Sequence, residues 1–139
     1  MVKKYSATFN ATLPELHVML TWACEQLRDS GLTQTTMKQV EIALEETLVN
    51  IIYYAYQDQQ GLIQMTCEIY PKRYIEFKVQ DQGMPFNPLT QTTGINPYAP
   101  LEERLQGGLG ISFIQELMDQ ISYKREGQTN CLILRKNCP

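Results

Sequence analysis

The sequence lacks the marks of an exported, membrane-spanning or zinc-binding protein. It holds one histidine and four cysteines, none of them in a C-x-x-C pair, so a zinc site is not expected. No apolar run approaches the roughly 20 residues of a transmembrane helix. The N-terminal stretch MVKKYSATFNATLPE lacks the apolar core of a signal peptide. Scattered thiols without an export signal predict a cytoplasmic protein with no membrane partner.

Basic charge is also scarce. The 139 residues carry 12 Lys and Arg against 15 Asp and Glu, a net charge of −3, without a long run of cations. A nucleic-acid-binding surface normally needs a cluster of basic residues, so direct binding to nucleic acid is not expected. The length fits a single domain over residues 1–139, with no repeat or composition shift that would divide it.

Hydrophobic periodicity and turn residues predict the order strand, helix, helix, strand, strand, loop, helix, strand, strand. A capping box beginning at Thr12 opens the first helix, which ends at residues 30–31. A weaker capping box beginning at Thr36 opens the second helix, which runs to about Tyr56, and a third helix covers residues 107–120. This order predicts an α+β fold, a two-layer sandwich with three helices on one face of a mixed, mostly antiparallel sheet.

The second predicted helix carries two polar residues on an apolar surface. Its main apolar face is predicted to consist of Val40, Leu44, Leu48, Ile51 and Ala55. Glu46 and Asn50 lie one turn apart, outside that face and away from the solvated stripe of Lys38, Glu41 and Glu45. Burying a carboxylate costs free energy unless it is paired, bound to a metal or open to a cleft. Two interpretations stay open: Glu46 is partly exposed while Asn50 caps a neighbouring loop, or both face a ligand.

Two glycine-bearing segments could complete a ligand site. In VQDQGMPFNP, Asp81 ends a strand, where its carboxylate can accept a hydrogen bond from an exocyclic amine, and Gly83 permits close approach. In QGGLGIS, Gly107, Gly108 and Gly110 precede a helix, whose unpaired N–H groups suit phosphate. Each segment alone also fits an ordinary turn or a tightly packed helix start. The sequence contains neither a P-loop motif nor a dinucleotide-binding motif.

The combination of these segments is more specific than any one of them. Glu46-x-x-x-Asn50, Asp81-x-Gly83 and Gly108-x-Gly110, in this order, resemble the ATP-binding domain shared by gyrase, histidine kinases and MutL, the Bergerat fold. Within that group, GGLGISFIQELMDQISY and DQGMPFNP are most similar to the bacterial anti-sigma-factor serine kinases. The similarity covers essentially the whole chain.

The resemblance implies a role for each residue of the first two motifs. Asn50 would hold the Mg²⁺ ion that bridges the phosphates of ATP (or ADP). Glu46 would act as general base toward an incoming hydroxyl, or orient it. Asp81 would accept the adenine amine, and Gly83 would let the base lie against the backbone.

The resemblance also assigns the long loop and the glycines before the third helix. Residues 87–107 would form the ATP lid, in which Arg104 could reach the γ-phosphate. The lid would end at the amides that lie near the phosphates, those of Gly107, Gly108 and Gly110. Two positions depart from the family pattern: Tyr54 stands where these kinases usually have a histidine, and residues 85–86 replace a third glycine.

The function implied is that of a serine/threonine protein kinase and anti-sigma factor. It would phosphorylate a serine of an anti-anti-sigma (STAS-domain) protein, sequester an RNA polymerase sigma factor, and act as a homodimer. A nucleotide-binding regulatory module without kinase activity is the alternative. A detached catalytic domain of a histidine kinase fits less well, because the chain has no phosphoacceptor histidine helix and its starting Met1 suggests a complete protein.

Overall fold

The computed structural model describes residues 1–56, 60–85, 87 and 110–138. In this part of the chain the elements follow the predicted order. They are β1 (Lys3–Asn10), α1 (Leu13–Leu27), α2 (Gln34–Asn50), β2 (Leu62–Tyr70), β3 (Tyr74–Asp81), α3 (Gly110–Leu117), β4 (Gln120–Glu126) and β5 (Thr129–Asn137). One π-helical turn, Ile51–Ala55, continues α2. Among these helices, none combines the length and the apolar character needed to cross a membrane.

The strands form one sheet in the order β1-β2-β3-β5-β4. All pairings between the described strands are antiparallel, so the sheet is fully antiparallel rather than mixed. Two hairpins, β2–β3 and β4–β5, turn at Lys72 (φ 64°) and Gly127 (φ 61°). Because β3 lies at the centre, the residue that ends it, Asp81, pairs with Ile63 on one side and Asn130 on the other.

The core lies between the helices and one face of the sheet. Alternate residues of β2, β3 and β5 point toward the helices, as the period of two requires. On the sheet the buried apolar residues are Ile63, Met65, Cys67, Ile69, Ile75, Phe77, Val79, Leu132 and Leu134; on the helices they are Met19, Ala23, Leu27, Val40, Ala43, Leu44, Leu48 and Ile114. The predicted α+β sandwich, with helices on one face of the sheet, is therefore confirmed.

The helix ends match the predictions only in part. Gly31 takes the predicted left-handed conformation (φ 88°), although α1 already ends at Leu27. Thr12 is the N-cap of α1, but its side chain makes no capping hydrogen bond within the described chain. The predicted start of α2 is wrong by three residues, because Thr33 is the N-cap and its hydroxyl accepts a hydrogen bond from Thr36 N at 3.1 Å.

Candidate functional site

The backbone changes its hydrogen-bonding pattern immediately after Asn50. There α2 gives way to the π-helical turn Ile51–Ala55, a rare conformation that often occurs at functional sites. The turn meets the segment that follows β3, where the carbonyl of Ala55 accepts a hydrogen bond from Met84 N at 2.8 Å. The end of α2 and the end of β3 are thus joined beside Asn50.

Gly83 is the point of closest approach between these two segments. A Cβ at this position would lie 2.2 Å from the carbonyl oxygen of Ala55 and 2.5 Å from its carbonyl carbon. No side chain larger than hydrogen fits there without moving the backbone. The close approach seen here is to the π-helical turn, and contact of Gly83 with a ligand stays a prediction.

Asp81 is a buried carboxylate, 6% exposed, at the centre of the sheet. Its Oδ1 accepts hydrogen bonds from Gly83 N and from Asn130 Nδ2, both at 2.9 Å. Burial raises the pKa of Asp81, and these two hydrogen bonds together with the charge of Arg125 offset only part of that rise. Ionising Asp81 in the folded protein therefore costs free energy, and a hydrogen-bond donor from a ligand would reduce that cost.

Three polar residues that the sequence analysis missed surround this carboxylate. Asn130 accepts hydrogen bonds from the Tyr123 hydroxyl at 2.5 Å and from Arg125 Nη1 at 3.0 Å, and donates to Met84 O at 2.8 Å. Arg125 Nη1 also donates to Gly83 O at 3.0 Å. A signal was present in the sequence, since Asn130 interrupts an apolar alternation, but its partners lie far away along the chain.

A cavity of about 20 Å³ joins the residues of the site. Its walls come from α2, the π-helical turn, α3 and the three strands β3, β4 and β5. The residues that line it are Thr47, Asn50, Ile51, Ala55, Val79, Asp81, Ile114, Tyr123, Asn130 and Leu132. The predicted metal-binding Asn50 and the predicted base-binding Asp81 therefore share one cavity, as the motifs require.

Asn50 is the polar group of this cavity that lacks a partner. It is 4% exposed, and within the described residues neither its side-chain oxygen nor its nitrogen has a hydrogen-bond partner. Leaving a buried amide unsatisfied costs about 1–3 kcal/mol. Among the described residues, Asn50 therefore caps no neighbouring loop. A ligand that offers both a cation and hydrogen-bond acceptors, such as a metal-bound phosphate, would satisfy both atoms.

The donor set around Asn50 fits Mg²⁺ better than a metal held only by protein. The described chain contains no group of three or more His, Cys, Asp and Glu that could hold a metal ion. Mg²⁺ characteristically takes one or two protein oxygens and completes its shell with substrate phosphates and water. The amide oxygen of Asn50 can supply such a ligand.

Glu46 stands apart from the cavity. It lies one turn before Asn50 on α2, is half-buried, and is not among the cavity-lining residues. Burial raises the pKa of Glu46, and the neighbouring charge of Glu45 raises it further. Its carboxylate is thus partly exposed, as one interpretation of the sequence held, and its basicity is increased.

Of the remaining predicted site residues, the structure describes only Gly110, the first residue of α3. This helix begins at Gly110, and Ile114, one turn later, lines the cavity. The described residues do not include residues 88–107 of the predicted lid, and so leave out Arg104 and Gly107; Gly108 is outside them as well. Their roles stay predictions.

Comparison with known proteins decides the family. The sequence profile of the histidine kinase-like ATPase domain matches residues 9–136. The chain belongs to this family. This histidine kinase-like ATPase domain is also 34% identical over 103 residues to the serine-protein kinase RsbW of Bacillus mycoides (strain KBAB4) and 31% identical over 104 residues to RsbW of Bacillus cereus (strain AH187). The family-level resemblance predicted from the motifs is confirmed.

The extent of these similarities differs. The alignments cover 71% and 72% of this chain and 64% of each RsbW sequence, so the ATPase domain spans less than two thirds of these relatives. The histidine kinase AdeS of Acinetobacter baumannii superposes on 96% of the chain and 68% of its own, with a TM-score of 0.48 and 14% sequence identity.

Proposed function

We propose that this histidine kinase-like ATPase domain is an ATP-dependent serine/threonine protein kinase and anti-sigma factor. It would transfer the γ-phosphoryl group to a serine of an anti-anti-sigma (STAS-domain) partner and sequester an RNA polymerase sigma factor. The observation that carries the proposal is the cavity shared by the unsatisfied amide of Asn50 and the buried carboxylate of Asp81. Similarity to serine-protein kinases supports the choice of acceptor.

Asp81 would recognise the base of ATP. An ionised carboxylate only accepts hydrogen bonds, so it favours a ring that presents an exocyclic amine, as adenine does. The partial desolvation of Asp81 strengthens such a bond relative to the same bond in water. Gly83 keeps the adjoining backbone free of side-chain bulk.

Asn50 and the start of α3 would meet the phosphates. Asn50 would supply an amide oxygen to Mg²⁺, and the bound ion would neutralise phosphate charge during transfer. The first N–H groups of α3, from Gly110 onward, are free of helical partners by geometry and are suited to phosphate oxygens. Arg104, Gly107 and Gly108 would act on the same phosphates.

Glu46 would act on the acceptor rather than on the nucleotide. Its partly exposed carboxylate would take the proton of the partner's serine hydroxyl, whose oxygen then bonds to the γ-phosphorus as the bond to the β-phosphate oxygen breaks and ADP leaves. The raised pKa of Glu46 makes the carboxylate a better base than an ordinary glutamate.

The partners and the setting are part of the same proposal. The STAS-domain acceptor, the sigma factor and the homodimer follow from the resemblance to anti-sigma-factor kinases. The four cysteines, all within the described residues, are free thiols, which fits a reducing compartment such as the cytoplasm.

The test is phosphorylation by a matched pair of variants, Glu46→Gln and Glu45→Gln. Both remove one negative charge from α2, but Glu45 is exposed and takes no proton in the proposed transfer. With γ-labelled ATP and STAS-domain proteins as acceptors, Glu46→Gln should lose about 100-fold or more of the transfer rate. Its affinity for Mg²⁺–ATP should stay within about twofold of wild type. Glu45→Gln should keep the transfer rate within about threefold of wild type, because it removes only the neighbouring charge that raises the pKa of Glu46. Equal transfer by Glu46→Gln and wild type would remove Glu46 from the chemistry.

A nucleotide-binding module without transfer is the second candidate. It is favoured by one observation, the absence of Glu46 from the residues lining the described cavity. The same assay separates the two functions. Partner binding that changes with the nucleotide, with no label transferred by the wild-type protein, would establish the binding module and exclude the kinase.

A further inference from the structure

Asn130 is a buried amide in an apolar row. On β5 it shares the helix-facing side with Leu132 and Leu134, and it pairs across the sheet with Asp81. It is 4% exposed, so a polar atom of its side chain left without a hydrogen bond would cost free energy. All four of its hydrogen-bonding positions are used, by Tyr123, Arg125, Met84 and Asp81.

The direction of this amide is set by its neighbours. The guanidinium of Arg125 can only donate, so the oxygen of Asn130 must face it. The carbonyl of Met84 can only accept, so the nitrogen must lie on the other side. A flipped amide would break both hydrogen bonds and would turn its oxygen toward the Asp81 carboxylate. The network therefore admits one orientation.

This orientation fixes the carboxylate of Asp81 as well. Within the described residues, both hydrogen bonds to that carboxylate go to Oδ1, one from Asn130 Nδ2 and one from Gly83 N. Two donors on one oxygen hold the plane of the carboxylate and direct Oδ2 toward other donors. Asn130 and Arg125 also bind the carbonyls of Met84 and Gly83. Hydrogen bonds thus connect the Asp81 carboxylate to the backbone carbonyls of Gly83 and Met84 through Asn130 and Arg125.

We propose that Asn130 is a positioning residue for base recognition, whose amide, held by Tyr123 and Arg125, presents Oδ2 of Asp81 to the exocyclic amine of a purine. The inference rests on the proposed nucleotide site and adds to it the residues that aim its carboxylate. A carboxylate that has lost the Asn130 donor can rotate, and the hydrogen bond to the amine then loses its alignment.

The test compares two nucleotides that differ only at that amine. ATP carries it, and purine riboside 5′-triphosphate has hydrogen in its place. The ratio of their Kd values reports the contribution of the amine, and the change of that ratio between wild type and variant reports the effect of the substituted residue on it. The variants are Asn130→Ser and Tyr123→Phe, which removes one hydroxyl and keeps the ring. Asn137→Ser is the matched control, because Asn137 lies on the same strand with an exposed side chain.

Wild type should prefer ATP by about tenfold, the size expected of a hydrogen bond to a charged group. In Asn130→Ser the preference should fall to about twofold or less, while affinity for the amine-free nucleotide stays within about threefold. The preference of Tyr123→Phe for ATP should lie between these two values, and that of Asn137→Ser should match wild type. If Asn130→Ser does not fold, Tyr123→Phe decides alone.

Two results would overturn the inference and leave the proposed function intact. One is an unchanged preference for ATP in both variants. The other is an equal loss of affinity for both nucleotides, which would show a purely structural role for the network. A wild-type protein that binds both nucleotides equally would instead contradict the proposed base contact of Asp81, and the inference would fall with it.

Discussion

Asp81 occupies the helix-facing row of β3, directly after Ile75, Phe77 and Val79, where an apolar side chain would be expected. Burial raises its pKa above the ordinary value, so in the window between the two values the folded protein binds more protons than the unfolded chain. The free energy of unfolding therefore falls as pH rises through that window. Above that pH window, the folded protein carries the full free-energy cost of the buried Asp81 charge.

Asp81→Asn should consequently separate stability from function. The amide oxygen can keep both hydrogen bonds now made to Oδ1, while the buried charge disappears. At pH 7 the variant should be at least as stable as wild type, and any advantage should shrink as pH falls toward 4. Its ATP affinity should fall by about tenfold or more, since an amide nitrogen would face the adenine amine. Thermal unfolding at several pH values and ATP titration measure both effects; a pH-independent loss of stability would contradict this account.

At the scale of elements, Gly83 connects β3 to the π-helical turn that follows α2. In Gly83→Ala the new methyl would meet the Ala55 carbonyl at 2.2 Å, so one element must move. We expect a loss of about 3 kcal/mol or more in unfolding free energy, because overpacking at a backbone contact cannot be relieved by a rotamer change. Mg²⁺–ATP binding should be lost with it.

Gly127→Ala is the control for that experiment. Gly127 has φ 61° and open space around its Cβ position, so only the backbone preference changes. The expected cost is about 1 kcal/mol, with ATP binding unchanged. Denaturant unfolding of both variants measures the difference, and equal costs would mean that the contact with Ala55 is not restrictive.

The elements also show what sequence reasoning can and cannot predict. The apolar face of α2 and of the π-helical turn that continues it was predicted residue by residue, because helical periodicity is local. The buried residues of this face are Val40, Leu44, Leu48, Ile51 and Ala55. The π-helical turn was not predicted, because helical periodicity does not distinguish it from an α-helix; its last residue, Ala55, bonds Met84 N of a distant segment.

The candidate site divides in the same way. Asn50 and Asp81 were identifiable because each interrupts or ends an apolar pattern within its own segment. Asn130, Tyr123 and Arg125 were missed because their importance appears only when β4 and β5 lie beside the end of β3. Sequence motifs depend on local spacing, whereas the antiparallel register brings Asn130 beside Asp81 from about 50 residues away in the chain.

At the scale of the whole molecule, the strand order β1-β2-β3-β5-β4 places the end of the central strand beside the end of α2 and beside α3, whose Ile114 lines the same cavity. One residue of each predicted motif marks one of these elements: Asn50 ends α2, Asp81 ends β3 and Gly110 begins α3. We propose that this convergence forms a site for Mg²⁺–ATP, in which the amide of Asn50, unsatisfied within the described residues, meets the ion.

The most direct test is calorimetric ATP binding by wild type and Asn50→Leu, each with Mg²⁺ and with chelator. Leucine matches the shape of asparagine and removes the unsatisfied amide, so the variant should unfold at an equal or higher temperature than wild type without ligand. Wild type should bind ATP about tenfold or more tightly with Mg²⁺ than without it, and Asn50→Leu should lose that magnesium-dependent gain. A folded Asn50→Leu with the ATP affinity and magnesium dependence of wild type would contradict the account.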